Sequence, residues 1–313
     1  MNLTRISAAT LTLCLCLVSG CDKLPTDPSS PPQGGTGDGS GGNGGGNGTT
    51  LTSIGCFAGA NQNSPTMCGV LSSLGLPIAD QALAGEVSLQ RAFWTSIPVR
   101  NVLVMNDCSV QSRNAKADPV TRDILFGYNM FHSLVAQHGN VLPVAGVLAH
   151  EWAHQAQFSF GWYTNPVRNM ELEADAFSGY FMALAKGWAW QYMASYFQTV
   201  YSTGDYNFSS PGHHGTSEQR LAMARVGFDT AVQAASLGRP LGYFDLHSIF
   251  YASIARVGLA PASMRVPLDR DLEVIVERIE HGDAPAIAMG RSTGTSGVVP
   301  GDASARARLW PQR

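Results

Sequence analysis

Apolar and polar positions favour helices over most of the chain and strands in only two places. Residues 87–94 and 129–139 carry apolar side chains at helical spacing, and the second stretch closes on Gly139. Residues 99–107 are rich in β-branched side chains, which favour a strand, and residues 124–126 could form a second strand. The pattern predicts an α+β fold that is mostly helical and has a small sheet.

Two longer helices are predicted next to each other in the middle of the chain. An almost continuous apolar run predicts a helix at residues 143–160, and Gly161 ends it. Asn165 and Pro166 supply an N-cap and a proline at the first helical position, which predicts a helix at residues 167–187. The second helix is rich in small and aromatic residues, so we expect it to be buried.

A capping box, Thr216 with Gln219, starts a further helix that ends near Gly238. The segment before it, residues 188–204, is rich in aromatic residues. Large side chains at near-helical spacing predict core packing, and a substrate groove is the alternative. The side chains concerned are Trp188, Tyr192 and Phe197.

The amino terminus resembles a bacterial lipoprotein signal. Arg5 precedes an apolar run that ends in small residues at Cys21, so residues 1–20 are predicted to be a signal peptide and Cys21 the acylated residue. Lipid on Cys21 would attach the chain to a membrane in the cell envelope. No later segment has the roughly 18 consecutive apolar residues that a spanning helix needs.

Residues 21–50 consist mainly of Gly, Ser and Pro and predict a flexible tether. The folded region is expected at residues 51–282, and residues 283–313 are predicted to lack regular structure. The net charge is −3 and only 14% of residues are charged. Because there is no basic run, the composition argues against a nucleic-acid partner.

Three cysteines remain in the predicted folded region, at positions 56, 68 and 108. An exported compartment permits a disulfide bond. The shortest loop favours Cys56 with Cys68, although the sequence leaves open which cysteine stays single. Their scattered spacing is not typical of a thiolate zinc site.

The stretch HEWAH at residues 150–154 carries the main chemical signal. Side chains at positions i and i+4 share one face of a helix, so His150 and His154 can bind a single metal ion. Glu151 lies beside them, where metalloproteases place the residue that takes a proton from the attacking water. A catalytic zinc site normally needs a third protein ligand.

The next predicted helix offers that ligand in the stretch ELEAD. Glu171 and Asp175 share one face, so Glu171 could bind the metal while Asp175 accepts a hydrogen bond from a ligand histidine. Glu173 points about 200° away from Glu171 around the helix. We favour Glu171 as the ligand, and Glu173 or Asp175 remain alternatives.

These motifs resemble those of the bacterial neutral zinc metallopeptidases and, more distantly, the CaaX prenyl proteases and thermolysin-like gluzincins. The likeness rests on HEWAH, ELEADAFSGYFMA and HGTSEQR and spans residues 99–228. It implies a zincin-like core at residues 51–240, followed by a helical extension at residues 241–282. It also implies that residues 113–131 form a sheet edge over the HExxH helix, where substrate can add as a strand. The implied site has one zinc ion held by His150, His154 and Glu171, with Glu151 as general base and Asp175 as support.

The same resemblance implies that His214, rather than His213, stabilises the oxyanion of the reaction. Two solvated loop histidines are the alternative. Arg220 could hold this loop through an acidic residue, or it could be a surface residue. The remaining histidines are expected to be structural or solvated; they are His132, His138, His247 and His281.

The sequence therefore predicts a zinc-dependent peptidase of the cell envelope that acts on peptide or protein substrates. One alternative is a non-catalytic lipoprotein that contains zinc for binding or structure. A second alternative keeps the chemistry and changes the substrate to an amide bond in peptidoglycan.

Overall fold

The computed structural model describes residues 67–163, 167–186, 193–204, 214–256 and 268–280, together with Pro311. All of them belong to the larger of two units, residues 51–313. The predicted signal peptide, Cys21 and the tether lie outside the described residues, and so does the predicted tail apart from Pro311. Asn165, Pro166, Trp188, Tyr192 and His281 also lie outside them.

Within the described ranges the chain forms an α+β fold that is mostly helical, as predicted. The strands are β1 Met67–Val70, β2 Val102–Asp107, β3 Ala115–Ala117 and β4 Ile124–Gly127. The helices are α1 Pro77–Phe93, α2 Tyr128–His138, α3 Leu142–Phe160, α4 Val167–Phe181, α5 Ala194–Ser202, α6 Ser217–Ser236, α7 Tyr243–Arg256 and α8 Arg270–Glu280. A π-helical segment, Met182–Lys186, continues α4. No helix in these ranges combines the length and the apolar character needed to cross a membrane.

The predicted strands in residues 99–107 and 124–126 are confirmed as β2 and β4, and the helix that stops at Gly161 is confirmed as α3. Gly161 has a φ of 72°, the left-handed conformation that glycine adopts readily at a helix end. The predicted capping box of α6 is also present. The apolar pattern predicted neither β1 nor β3, because segments of four and three residues are too short to show alternation. Strand β3 lies within residues 113–131, for which the family resemblance implied a sheet edge.

The four strands form one mixed sheet in the order β1-β2-β4-β3. Strands β2 and β4 are parallel, and the two outer pairs are antiparallel. Strand β3 lies at the edge and contacts α3. The Gln155 side chain of α3 donates hydrogen bonds to the carbonyls of Asp118 and Asp123, each at 3.0 Å, and so holds the β3–β4 turn against this helix.

A disulfide bond joins Cys68 in β1 to Cys108, directly after β2. The expected pair of Cys56 with Cys68 is therefore wrong. The pairing of β1 with β2 brings residues together that are 40 positions apart in the chain. Loop length alone could not indicate this partner. Cys56 lies outside the described residues.

Helix α4 lies at the centre of the domain and packs against α3, α6 and α7. It crosses α6 at very short range through Gly179 and Gly227. A Cβ atom on Gly179 would lie 2.0 Å from the Ala224 carbonyl oxygen, and one on Gly227 would lie 1.7 Å from the Ala176 carbonyl oxygen. These two glycines allow α6 to approach the face of α4 that carries the site described next.

Aromatic side chains fill much of the core around α4. Phe197 of α5 is among the buried residues, which confirms the expectation of core packing for this side chain. Helix α3 is buried along nearly its whole length, in agreement with its apolar sequence. The HEWAH stretch thus lies inside the domain on a helix with little exposed surface.

Candidate metal centre

Three side chains from two helices converge in the interior. His150 and His154 come from α3 and Glu171 comes from α4, and one ligand atom from each lies within 4.8 Å of the others. The His150 and His154 Nε2 atoms are 3.1 Å apart. Glu171 Oε2 lies 3.3 Å from His150 Nε2, and Glu171 Oε1 lies 3.5 Å from His154 Nε2.

These separations fit the edges of a small coordination polyhedron. Zinc binds histidine nitrogen and carboxylate oxygen at about 2.0–2.2 Å, so two tetrahedral ligands lie about 3.3–3.6 Å apart. The observed separations of 3.1, 3.3 and 3.5 Å are close to that range, with a different Glu171 oxygen facing each histidine. The donor set of two imidazoles and one carboxylate is also one that zinc accepts. This cluster could therefore hold a metal ion.

Asp175 lies one turn after Glu171 on α4, beside the outer nitrogen of the first histidine. The distance from Asp175 Oδ1 to His150 Nδ1 is 2.9 Å, which allows the ring N–H to donate to the carboxylate. That proton position leaves His150 Nε2, the atom that faces Glu171, free to bind a metal. The geometry is the one that the sequence predicts for Asp175.

Arg220 of α6 is completely buried against this aspartate. Its Nε atom donates to Asp175 Oδ2 at 2.7 Å, and its Nη2 atom donates to Asp175 Oδ1 at 2.8 Å. Arg220 Nη2 also lies 3.8 Å from Glu171 Oε2. The alternative of a surface arginine is wrong, and the acidic partner that the sequence left unnamed is Asp175.

The carboxylates of α4 affect the protonation of His150. Burial acts to lower the pKa of His150, but the hydrogen bond to Asp175 and the nearby Glu171 carboxylate outweigh it and raise the pKa to about 9. Without a metal ion both ring nitrogens of His150 therefore carry a proton at neutral pH. A metal ion must displace the proton on Nε2 to bind this atom.

The pKa of Glu171 shifts in the opposite direction. Burial acts to raise the pKa of Glu171, but the nearby motif histidines, His154 and His150, hold it well below its usual value. His214 contributes to the same lowering. His214 directly precedes the segment leading into α6 and is buried rather than exposed, and its effect on Glu171 shows that it lies near the cluster. His213 lies outside the described residues.

No side chain within the described residues donates a hydrogen bond to either carboxylate oxygen of Glu151, whereas the oxygens of Glu171 face the two motif histidines at 3.3 and 3.5 Å. Glu151 is completely buried. Burial raises the pKa of Glu151, and the charges of His150 and His154 and the Ala117 backbone act against that rise. Its carboxylate thus lies within electrostatic range of both histidines and beside edge strand β3.

Glu173, the alternative ligand, uses both carboxylate oxygens elsewhere. Its Oε2 atom accepts a hydrogen bond from Gln157 Nε2 at 3.0 Å, and its Oε1 atom pairs with His247 Nδ1. Among the described residues the three-residue cluster contains neither Glu173 nor Asp175. The geometry therefore favours Glu171 as the third ligand.

The other described histidines have partners away from the cluster. His132 Nε2 lies 2.9 Å from the Leu74 carbonyl oxygen, and His138 Nε2 lies 3.1 Å from the Thr199 hydroxyl. Both contacts agree with a structural role. Sequence reasoning missed the roles of Gln157 and His247, because a lone glutamine and a lone histidine carry no motif.

No family model, curated protein or solved structure matches the chain. The function of this site must therefore be argued from its own residues.

Proposed function

We propose that the chain is a zinc-dependent peptidase with a zincin-like core, anchored in the bacterial cell envelope through lipid on Cys21 and acting on peptide or protein substrates. The observation that carries the proposal is Glu151, a buried carboxylate with no side-chain partner among the described residues, next to a cluster of three metal-binding side chains. Burying a carboxylate without a partner destabilises a fold, so such a group is typical of a reactive site.

The burial of the ligands bears on the second candidate function. His150, His154 and Glu171 are at most 2% exposed, and a structural zinc site is commonly buried in this way. Structural sites, however, usually fill four positions with protein side chains. The described residues supply three. A non-catalytic zinc lipoprotein therefore remains the second candidate, and it gives Glu151 no role.

Each residue has a defined task in the proposed reaction. A zinc ion held by the three ligands would polarise the scissile carbonyl and activate the attacking water. Glu151 takes a proton from that water and passes it to the leaving amine. His214 donates to the oxyanion that develops on the carbonyl oxygen. Asp175, held by Arg220, keeps the proton of His150 on Nδ1.

The position of Glu151 also supports a peptide substrate. Strand β3 forms one edge of the described sheet, and its Ala117 backbone acts on the Glu151 carboxylate. An extended peptide aligned with this edge would present its backbone carbonyls near the proposed base. The proximity of this edge strand to Glu151 supports the proposal of a peptide substrate.

The test is digestion of casein by the full chain, with and without a zinc chelator, together with a Glu151→Gln variant. We expect Glu151→Gln to bind zinc as the wild type does and to lower kcat by about 10²–10⁴-fold, the usual contribution of a general base. Glu273→Gln, at an exposed position on α8, is the matched control and should digest casein at the wild-type rate.

Purified cell wall serves as a second substrate in the same assay. Release of soluble fragments from cell wall, with casein left intact, would move the proposal to a peptidoglycan amide bond. Bound zinc with neither substrate cleaved would favour the non-catalytic candidate. Full activity in Glu151→Gln would show that the assigned base is wrong.

A further inference from the structure

The outer nitrogen of the second motif histidine faces an amide rather than a carboxylate. His154 Nδ1 lies 2.7 Å from Gln157 Oε1. Both residues are on α3, three positions apart and completely or almost completely buried. The contact differs in kind from that of His150, whose Nδ1 faces the Asp175 carboxylate.

The orientation of the Gln157 amide is determined by two acceptors. Its Nε2 atom donates to the Met170 carbonyl oxygen at 2.9 Å and to Glu173 Oε2 at 3.0 Å. An amide nitrogen has two hydrogens to donate and does not accept hydrogen bonds, and here both hydrogens are donated to oxygens of α4. The reversed amide would place its oxygen against two acceptors. Gln157 Oε1 must therefore face His154.

The fixed amide in turn determines the tautomer of His154. An amide oxygen only accepts hydrogen bonds, so the His154 Nδ1 atom beside it must carry the proton. A neutral imidazole protonated on Nδ1 has its lone pair on Nε2. His154 Nε2 is the atom that lies 3.5 Å from Glu171 Oε1 in the cluster. Gln157 thus keeps the lone pair on His154 Nε2, where it can bind a metal ion.

The chain of contacts continues to α7. Glu173 is completely buried, and its second oxygen pairs with His247 Nδ1. The His247 ring stacks on Trp162, with centroids 4.1 Å apart and an angle of 8° between the rings. This stacking fixes the ring that faces Glu173. We call the series His247, Glu173 and Gln157 the relay.

We propose that Glu173 and His247 are positioning residues that act through Gln157 to hold His154 with Nε2 directed at the metal. The inference rests on the zinc site of the proposed function. The Glu173 charge polarises the Gln157 amide and strengthens its acceptor oxygen. His247 holds the Glu173 carboxylate so that one oxygen stays aligned with Gln157. Helix α7, which follows the metal motifs in the sequence, thereby contributes to the metal centre.

The first test is a zinc-affinity measurement on the full chain by competition with a chromophoric chelator. Gln157→Met keeps the volume of the side chain and removes both the acceptor and the donors. We expect it to weaken zinc binding about 10- to 100-fold, the usual effect of losing the outer partner of a ligand histidine. Gln198→Met, at an exposed position on α5, is the control and should bind zinc as the wild type does.

Two Glu173 variants separate positioning from packing. Glu173→Leu removes the acceptor for Gln157 and should weaken zinc binding. Glu173→Gln can still offer one oxygen to Gln157 while its amide nitrogen faces His247, so it should restore most of the affinity. A role in packing alone would instead appear as lost folding stability with unchanged zinc affinity, measured by denaturant unfolding of the same samples.

The second test replaces zinc with cobalt(II), whose visible absorption bands depend on ligand geometry. Gln157→Met and Glu173→Leu should shift these bands. His247→Phe keeps a ring to stack on Trp162 and loses the contact with Glu173, so it should shift them in the same direction and by less. His132→Phe in α2 is the matched control, because His132 also combines a ring contact with one hydrogen-bonded nitrogen.

The outcomes distinguish the relay from the metal site itself. A wild-type chain that is folded and binds no zinc would contradict the proposed function and the relay with it. Zinc bound by the wild type, with unchanged affinity and unchanged cobalt bands in all relay variants, would overturn the relay alone. His247→Phe, at a partly exposed position, keeps the test decisive if the buried variants fail to fold.

Discussion

Arg220 and Asp175 form a bidentate ion pair with both side chains buried, and the same Asp175 oxygen that accepts from Arg220 Nη2 lies 2.9 Å from His150 Nδ1. The pair connects α6 to α4 at the point where α4 contacts His150, a candidate metal ligand. A buried aspartate would be costly without a cation. Arg220 therefore supplies the cation that this buried carboxylate needs.

Arg220→Ala should destabilise the domain by about 3–5 kcal/mol, because it leaves a buried carboxylate without its partner. Arg220→Lys should recover only part of this loss, since an ammonium group cannot form the two parallel hydrogen bonds. Urea unfolding measures both effects. Arg239→Ala removes an ion pair with Asp271, a largely exposed carboxylate, and should cost less than about 1 kcal/mol. Equal losses for Arg220→Ala and Arg239→Ala would show that burial does not make the Arg220 pair more important for stability.

The crossing of α4 and α6 predicts that Gly179→Ala and Gly227→Ala both destabilise the fold by more than about 1 kcal/mol. Each added Cβ atom would meet a carbonyl oxygen of the other helix at 2.0 or 1.7 Å, so the helices would have to separate. Gly85→Ala is the control, because nothing lies within 4 Å of its added Cβ atom. In the middle of α1 this change should stabilise the protein by about 0.5–1 kcal/mol. Thermal unfolding of the three variants checks the contrast.

A different ion pair predicts how stability changes with acid. Hydrogen bonds from Arg100 lower the pKa of Asp123 to about 2, below the usual value of about 3.9. A lowered folded-state pKa contributes stability that is complete above the unfolded-state pKa and is lost as the pH falls toward the folded-state value. Asp123→Asn should therefore unfold at lower urea than the wild type at pH 6, and the difference should shrink between about pH 4 and pH 2. A difference that stays constant with pH would contradict this interpretation of Asp123.

Local patterns in the sequence predicted the elements that carry the metal motif. Helix α3 is an apolar run that stops at Gly161, and i, i+4 spacing places His150 with His154 and Glu171 with Asp175. Those rules need only neighbours in the sequence. They were sufficient to identify the three candidate ligands and the two helices that carry them, while the packing of α3 against α4 brings Glu171 to the histidines.

Partners distant in the sequence could not be predicted in this way. Asp175 and Arg220 are 45 positions apart, and Glu173 and His247 are 74 positions apart, on helices whose packing no local pattern specifies. The disulfide partner of Cys68 became clear only with the pairing of β1 and β2. For the same reason the burial of Arg220 depends on the Gly179 and Gly227 crossing, which appears only in the folded chain.

The measurement that tests the account most directly is the metal content of the purified full chain, determined by elemental analysis for the wild type, Glu171→Ala and Glu273→Ala. We expect about one zinc ion per chain in the wild type and in Glu273→Ala, and far less in Glu171→Ala, because two histidines alone bind zinc weakly. Circular dichroism of each sample shows whether it is folded. A folded wild type without zinc, or a Glu171→Ala variant that keeps its zinc, would contradict the proposed centre.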